Sequence, residues 1–142
     1  MIRCVIVEDE EIARNVLKSL LSQYCQDVMV CAEADDVESG KAMINAFRPD
    51  MVFLDIEMPG GGGFKLLNSI DNIDFEVVFI TAYEQFAIKA IRHAALDYLL
   101  KPVDPKELVS AVEKVKDAKY KKTLKKQYDT LLKNLNPEQL TV

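Results

Sequence analysis

The chain has 142 residues, 49% of them apolar and 29% charged, with a formal net charge of −5, proportions that describe a globular domain with a substantial core. No apolar stretch approaches the length of a membrane span, and the opening MIRCVIV has neither the long apolar run nor the small-residue cleavage site of a secretory signal. The three cysteines, Cys4, Cys25 and Cys31, are odd in number and lack metal-ligand spacing, which points to reduced thiols in a cytoplasmic compartment rather than to zinc or a disulfide.

Strand-like and helix-like segments alternate along the chain without internal repeats. Ile2 to Val7 is a strand rich in β-branched residues. Glu10 to Tyr24 has helical spacing at Ile12, Val16, Leu20 and Leu21. Val28 to Ala32 is a second strand, and Val37 to Phe47 a second helix capped by Asp35 or Asp36. Met51 to Leu54 is a short unbroken apolar run ahead of Asp55 and a Pro-Gly turn, the pattern of a strand buried on both faces. A short helix at Phe64 to Ile70, a strand at Val77 to Ile80, a helix at Gln85 to His93 and a strand at Tyr98 to Leu100 follow. Asp104 caps a last helix with Pro105 in its first turn. Five strands alternating with five helices predict an α/β fold: a five-stranded parallel sheet, doubly wound in the flavodoxin-like (βα)5 manner, with right-handed crossovers and helices on both faces.

The last helix is too long for such a body. Leu108, Val112 and Val115 form one packing stripe, a Lys-rich stretch follows from Lys116 to Lys126, and Leu124, Tyr128, Leu131 and Leu135 form a second stripe. The second is rotated by more than a quarter turn from the first and suits either a short coiled coil or a fraying linker. Asn134 to Pro137 stops the helix, and Leu140 to Val142 begins an extended run, as at a domain boundary. Residues 1–113 carry 10 basic and 20 acidic side chains, residues 114–142 carry 8 and 3. A basic tail on an acidic body reads first as a solvated helix face, and otherwise as a segment lying near nucleic acid or against the body itself. The absence of Arg from the tail argues against base-edge readout.

In an open α/β sheet the chemistry sits outside the carboxyl ends of the strands. The first strand ends in Glu8-Asp9-Glu10, the third in Asp55, the fourth in Thr81, and the fifth reaches Lys101-Pro102. Glu8, Asp9 and Asp55 together are repulsive unless a hard cation joins them, and Mg2+ favours such oxygen ligands and completes its shell with water and phosphate. Lys101 adds a positive point charge suited to a phosphoryl oxygen, and Thr81 a hydroxyl. A carboxylate nucleophile, a divalent cation, a lysine and a hydroxyl are the parts that phosphoryl transfer to aspartate requires.

With these residues in place, the sequence resembles the receiver domain of bacterial two-component response regulators over about residues 2–118, through IVEDE at 6–10, FLDIEMPG at 53–60, FITAY at 79–83 and DYLLKPVD at 97–104. The resemblance implies that Asp55 is the phosphoacceptor, charged by a sensor histidine kinase or a small phosphodonor. It implies that Asp9 binds Mg2+ directly, that Glu8 assists partly through water, and that the backbone carbonyl of Glu57 is a further ligand. It also implies that Thr81 closes on the phosphoryl group, that Tyr98 swings inward behind it, and that the Lys101–Pro102 peptide is cis. Glu57 and Tyr83 occupy the positions that tune hydrolysis of the acyl phosphate, with a bulky Tyr83 shielding it. The surface of the fourth helix, fifth strand and fifth helix, containing Phe86, Lys89, Ala90 and Asp97, would then change and pair two receivers into a homodimer.

The runs TAYEQFAIKAI and ALDYLLKPVD further resemble regulators that carry a LytTR-type DNA-binding domain after the receiver. That implies a receiver at 1–118 and a helical linker at 119–142 leading to an output domain absent from this chain, with DNA contacted only through that domain. Two departures stand out: residues 60–63 are all glycine, which predicts a mobile loop, and Glu8 replaces the commoner Asp. His93, the single histidine, reads as a surface or helix-capping residue. Three other readings exist. An aspartyl-phosphate hydrolase needs a second Asp where Glu57 stands and a cap for which there is little room. A flavin carrier would have its phosphate repelled by Glu8 to Glu11. A receiver-shaped interaction module that is never phosphorylated would not need Asp9, Asp55, Thr81 and Lys101 together.

Overall fold

The computed structural model of the chain describes residues 1–135. Ten elements alternate: β1 (Ile2–Val7), α1 (Glu11–Tyr24), β2 (Val28–Ala34), α2 (Val37–Phe47), β3 (Met51–Leu54), α3 (Gly62–Asn68), β4 (Glu76–Thr81), α4 (Ala87–Arg92), β5 (Asp97–Leu100) and α5 (Pro105–Asn134). The strands form one parallel sheet in the order β2-β1-β3-β4-β5. The doubly wound five-stranded sheet and the extended last helix predicted above are therefore both present.

Side-chain alternation along the strands explains the two layers. Val5, Val7, Val52, Leu54, Val77 and Phe79 face one way and pack with α2, α3 and α4. Cys4, Ile6, Met51, Phe53, Val78 and Ile80 face the other way and pack with α1 and α5. A strand covered on both sides must be apolar at every position, and all four residues of β3 are buried. Asp36 closes the start of α2 through a reciprocal pair with Ser39, its carboxylate accepting from the Ser39 amide at 2.7 Å. Asp104 accepts from the Lys106 amide at 2.8 Å at the start of α5.

Register positions the site. Val7, Leu54 and Phe79 stand in one row across β1, β3 and β4. The next residue on each strand is therefore Glu8, Asp55 or Ile80, all at the same edge of the sheet. Thr81 pairs with Leu100 on β5, and the Lys101 amide donates to the Thr81 carbonyl at 2.8 Å.

Four details differ from the sequence reading. On α1 the packed residues are Leu17 and Leu21, while Ile12 and Val16 face solvent; the apolar stripe is wide, and only the sheet's shape selects its buried half. Gly62 and Gly63 are not a loop but the buried first turn of α3. Ala90 is the buried residue of α4 and not part of its outer surface, where Ile88 and Ile91 stand instead. The Lys-rich start of the α5 extension is not simply solvated: Lys116, Lys119 and Lys122 pair with Asp27, Asp50 and Glu76. α5 runs unbroken through residue 118 to Asn134, with Leu135 as its cap. The stop expected through Pro137 and the extended run at Leu140 to Val142 lie outside the described residues.

Candidate phosphoacceptor site

The turn after β3 sets Asp55. Its carbonyl and that of Ile56 face α3 so closely that a Cβ on Gly63 would lie 2.5 Å from the Asp55 oxygen, and one on Gly62 would lie 2.3 Å from the Ile56 oxygen. Gly62 also has φ +83°, a conformation L side chains rarely adopt. The Gly63 amide donates to the Ile56 carbonyl at 2.8 Å. The glycine run thus brings α3 against the turn that carries Asp55.

Asp55, Glu8 and Thr81 are buried, whereas Asp9 is exposed. One carboxylate oxygen from each of Glu8, Asp9 and Asp55 lies within 4.8 Å of the others. The Lys101 ammonium reaches in from the end of β5, donating to Asp55 Oδ2 at 2.8 Å and to Glu8 Oε1. The Lys101–Pro102 peptide is cis. The Glu57 amide donates to Asp55 Oδ1 at 3.3 Å, so both Asp55 oxygens have partners. Thr81 Oγ1 accepts from the Tyr83 amide at 3.4 Å. The Tyr98 hydroxyl donates to the Tyr83 carbonyl, and its ring packs 6.2 Å from Phe79.

Three carboxylates gathered near one ammonium, which touches Asp55 and Glu8, leave an excess of negative charge. Burial pushes the Glu8 carboxyl up to about 7; Lys101 opposes this, while Asp9 and Asp55 add to it. Burial also works to lower the Lys101 pKa, but its hydrogen bonds to Asp55 and Glu8 outweigh that and hold the ammonium above its ordinary value. Glu8 is therefore the carboxyl whose ionisation burial disfavours. Clustered hard oxygen donors with surplus negative charge suit a small divalent cation such as Mg2+.

Glu8, Asp9, Asp55, Thr81 and Lys101 thus converge at one edge, with Glu57, Tyr83 and Tyr98 around them. One neighbour was not singled out from the sequence. Arg14 donates to the Glu8 carbonyl at 2.8 Å and pairs with Glu33 at 3.3 Å, bracing the turn that holds the acids; its position on α1, one turn above Glu10, was the available signal. Lys89 lies over the Phe64 ring at 4.6 Å, a contact no spacing announces. His93 caps α4, its Nδ1 3.0 Å from the Lys89 carbonyl and its ring 4.8 Å from that of Phe64, away from the carboxylates.

Residues 4–113 match the response regulator receiver domain family. The chain is 41% identical over 116 residues to an uncharacterized response regulatory protein of Vibrio cholerae, covering 81% of this chain and 48% of that protein. It is 38% identical over 132 residues to the sensory transduction protein LytT of Bacillus cereus, covering 92% of this chain and 51% of that protein. The chain thus spans about half the length of the curated relatives it matches. Among solved structures it resembles the receiver (REC) domain of AraT, a response regulator from Geobacillus stearothermophilus, with a TM-score of 0.76, 31% identity, and coverage of 86% of this chain and 98% of that one. With the sheet, the acid cluster and the matched residues in agreement, the chain belongs to the response regulator receiver domain family, whose members are signalling switches rather than metabolic enzymes.

Proposed function

We propose that this chain is a phosphorylation-dependent switch in which Asp55 accepts a phosphoryl group from a sensor histidine kinase in the cytoplasm. The observation that carries this reading is the Lys101 ammonium seated on Asp55 at the edge where Glu8, Asp9 and Thr81 also meet. An Asp55 carboxylate oxygen forms the new oxygen–phosphorus bond as the phosphorus–nitrogen bond of a phosphohistidine breaks, and the imidazole leaves with the bonding electrons. Lys101 neutralises a phosphoryl oxygen, and the Thr81 hydroxyl donates to another. Glu8, Asp9, Asp55 and the Glu57 carbonyl would hold Mg2+, which would supply neutralising charge to the phosphoryl oxygens.

The phosphoryl group adds charge and acceptors beside Lys101 and Thr81. As Thr81 moves toward it, the Tyr83 segment that hydrogen-bonds to Thr81 and Tyr98 moves too, and Tyr98 turns inward. The face of α4, β5 and α5 changes with it. Ile88, Ile91 and Leu100 are exposed there, beside the Lys114–Asp97 ion pair, and this apolar surface suits a homodimer. The switch acts by favouring one of two populations. In the longer parent protein the output is a LytTR-type DNA-binding domain that regulates transcription, a reading that rests on the LytT relatives and on the share of their length this chain spans.

The test is intact mass after incubation with acetyl phosphate and Mg2+. One phosphoryl adduct, absent without Mg2+ and absent in Asp55→Asn, supports the reading. No adduct with acetyl phosphate or with any kinase tested favours an unphosphorylated interaction module, and multiple turnover of a small phosphate ester favours the hydrolase.

A further inference from the structure

The packed part of α5 ends at Val115. Leu108, Ala111, Val112 and Val115 are its buried residues, and every residue from 120 to 131 is exposed. An isolated helix of that length is marginal in water, and the charge of the stretch works against it. Residues 118–128 hold five lysines and no acid, with Asp117 and Asp129 just outside. Lys122 stands three residues from Lys119 and Lys125 and four from Lys126, and Lys121 stands four from Lys125. At these spacings like charges destabilise a helix. The Thr123 hydroxyl also donates to the Lys119 carbonyl at 3.1 Å, a back-bond that weakens helices slightly. Yet α5 continues to Asn134.

The compensating charge comes from the amino-terminal edge of the sheet. Lys116 pairs with Asp27, in the turn before β2. Lys119 reaches the Met1 carbonyl at 2.9 Å, ahead of β1, and Asp50 Oδ2 at 3.1 Å, ahead of β3. Lys122 reaches Glu76 Oε1 at 3.3 Å, on the first residue of β4, and the Asp74 carbonyl at 2.9 Å. Taken along the helix, these partners lead into β2, β1, β3 and β4, the order in which the strands lie in the sheet. Three residues of helix rise ~4.5 Å and neighbouring strands lie ~4.8 Å apart, so a lysine at every third position meets a new strand end. The Asp50 carboxylate is also held from within the body, where the Arg3 amide donates to Oδ2 at 2.8 Å.

We propose that this acidic edge is a template for the α5 extension, an electrostatic strap in which Asp27, Asp50 and Glu76 offset the lysine repulsion that otherwise unwinds the helix beyond Val115. Each pair is partly solvated and weak alone. The three act together because the helix presents its lysines at a fixed spacing to acids that the sheet holds at a matching one. The extension is therefore a conditional helix, formed while the strap is closed and unwound when it is released. The device does not depend on Asp55 and lies at the opposite edge of the sheet.

Native-state amide hydrogen exchange on the whole chain reads the strap segment by segment. In the wild type the amides of residues 119–128 should be protected. Asp50→Asn with Glu76→Gln leaves the helix sequence untouched and keeps an oxygen acceptor at both positions. This variant should speed exchange at 119–128 about tenfold or more and leave 106–115 unchanged, because only the extension opens. Glu76→Lys should speed exchange at 119–128 as well. Adding Lys122→Glu to it should return most of the protection, since the pair is then restored with its charges reversed. Unprotected amides at 119–128 in the wild type, or unchanged exchange there in the neutralised variant, overturns the proposal. So does a charge swap that fails to restore protection, and so does equal acceleration at 106–115, which assigns the acids to the stability of the body.

Discussion

Lys101 Nζ sits 2.8 Å from Asp55 Oδ2 although the two residues are 46 positions apart in the chain. The contact places a positive charge on the carboxylate proposed as the phosphoacceptor, and Glu8 shares the same ammonium. Removing the lysine leaves two buried carboxylates without their cation. In the absence of Mg2+, Lys101→Met should destabilise the fold by roughly 1–3 kcal/mol, below the cost of breaking a fully buried pair because the lysine is partly solvated. Mg2+ should return part of this, since it neutralises the same carboxylates. Urea unfolding with and without Mg2+ reads both effects; an equal loss in the two conditions would show that the lysine contributes packing only.

Glu8 links the site to pH. Its carboxyl is raised by burial from the ordinary 4.5 to about 7. A carboxyl raised on folding contributes stability that is fully present below the unfolded pKa and is lost as pH rises through the folded one. Without metal, this contribution should fade between about pH 4.5 and about 7. Mg2+ binding requires the ionised form, so its affinity should strengthen across pH 6 to 8 with release of protons. Calorimetric titration in buffers of different ionisation enthalpy measures that release, and Glu8→Gln should flatten the pH dependence. A wild-type affinity constant across the range would contradict the assignment.

Gly62 and Gly63 hold α3 against the Asp55 turn. A Cβ on Gly62 meets the Ile56 carbonyl at 2.3 Å and the residue has positive φ, so Gly62→Ala should cost about 1–3 kcal/mol or more. Gly60 has positive φ as well, at +96°, but its nearest contacts are Val37 side-chain atoms at 3.0 and 3.3 Å rather than a carbonyl, so it should be the more tolerant position. Thermal unfolding of both variants compares a backbone collision with a side-chain one. Acyl-phosphate formation by Gly62→Ala then reports how far Asp55 has been displaced.

Tyr83 is partly exposed, and its ring stands edge-on to Phe86 at 6.2 Å. Its amide and carbonyl make the bonds to Thr81 and Tyr98, so truncation keeps the switch connections and removes only the ring. Tyr83→Ala should dephosphorylate several-fold faster, because water gains access to the acyl phosphate. An unchanged lifetime by intact mass over time would assign shielding to another residue.

Much of the fold is legible in the sequence because period-2 and near-3.6 patterns record burial directly. The buried β3, the Asp36 and Asp104 caps and the long α5 with its two stripes all follow from local spacing. The residues of the site are legible too, since four of the five strands lead into a polar group at the same edge. Packing faces are less so. Ile12 and Val16 carry the same helical spacing as the buried leucines, yet face solvent. Likewise Ala90, with a side chain too small to mark a stripe, is the one buried residue of α4.

The sequence by itself determined which residues could serve: the acids after the first strand, Asp55 after the third, Thr81 ending the fourth and Lys101 after the fifth. Their chemistry and order are properties of the chain. Only the tertiary structure decided how they meet. Parallel register aligns strand ends from distant segments, so Glu8 and Asp55 share one ammonium and burial raises the Glu8 carboxyl. The same is true of the glycines after Pro59, which read as a loop until the Ile56 and Asp55 carbonyls closed around them, and of Lys116, Lys119 and Lys122, whose acidic partners Asp27, Asp50 and Glu76 come from three separate segments. Such contacts depend on distances between segments remote in sequence, and no local pattern records those distances.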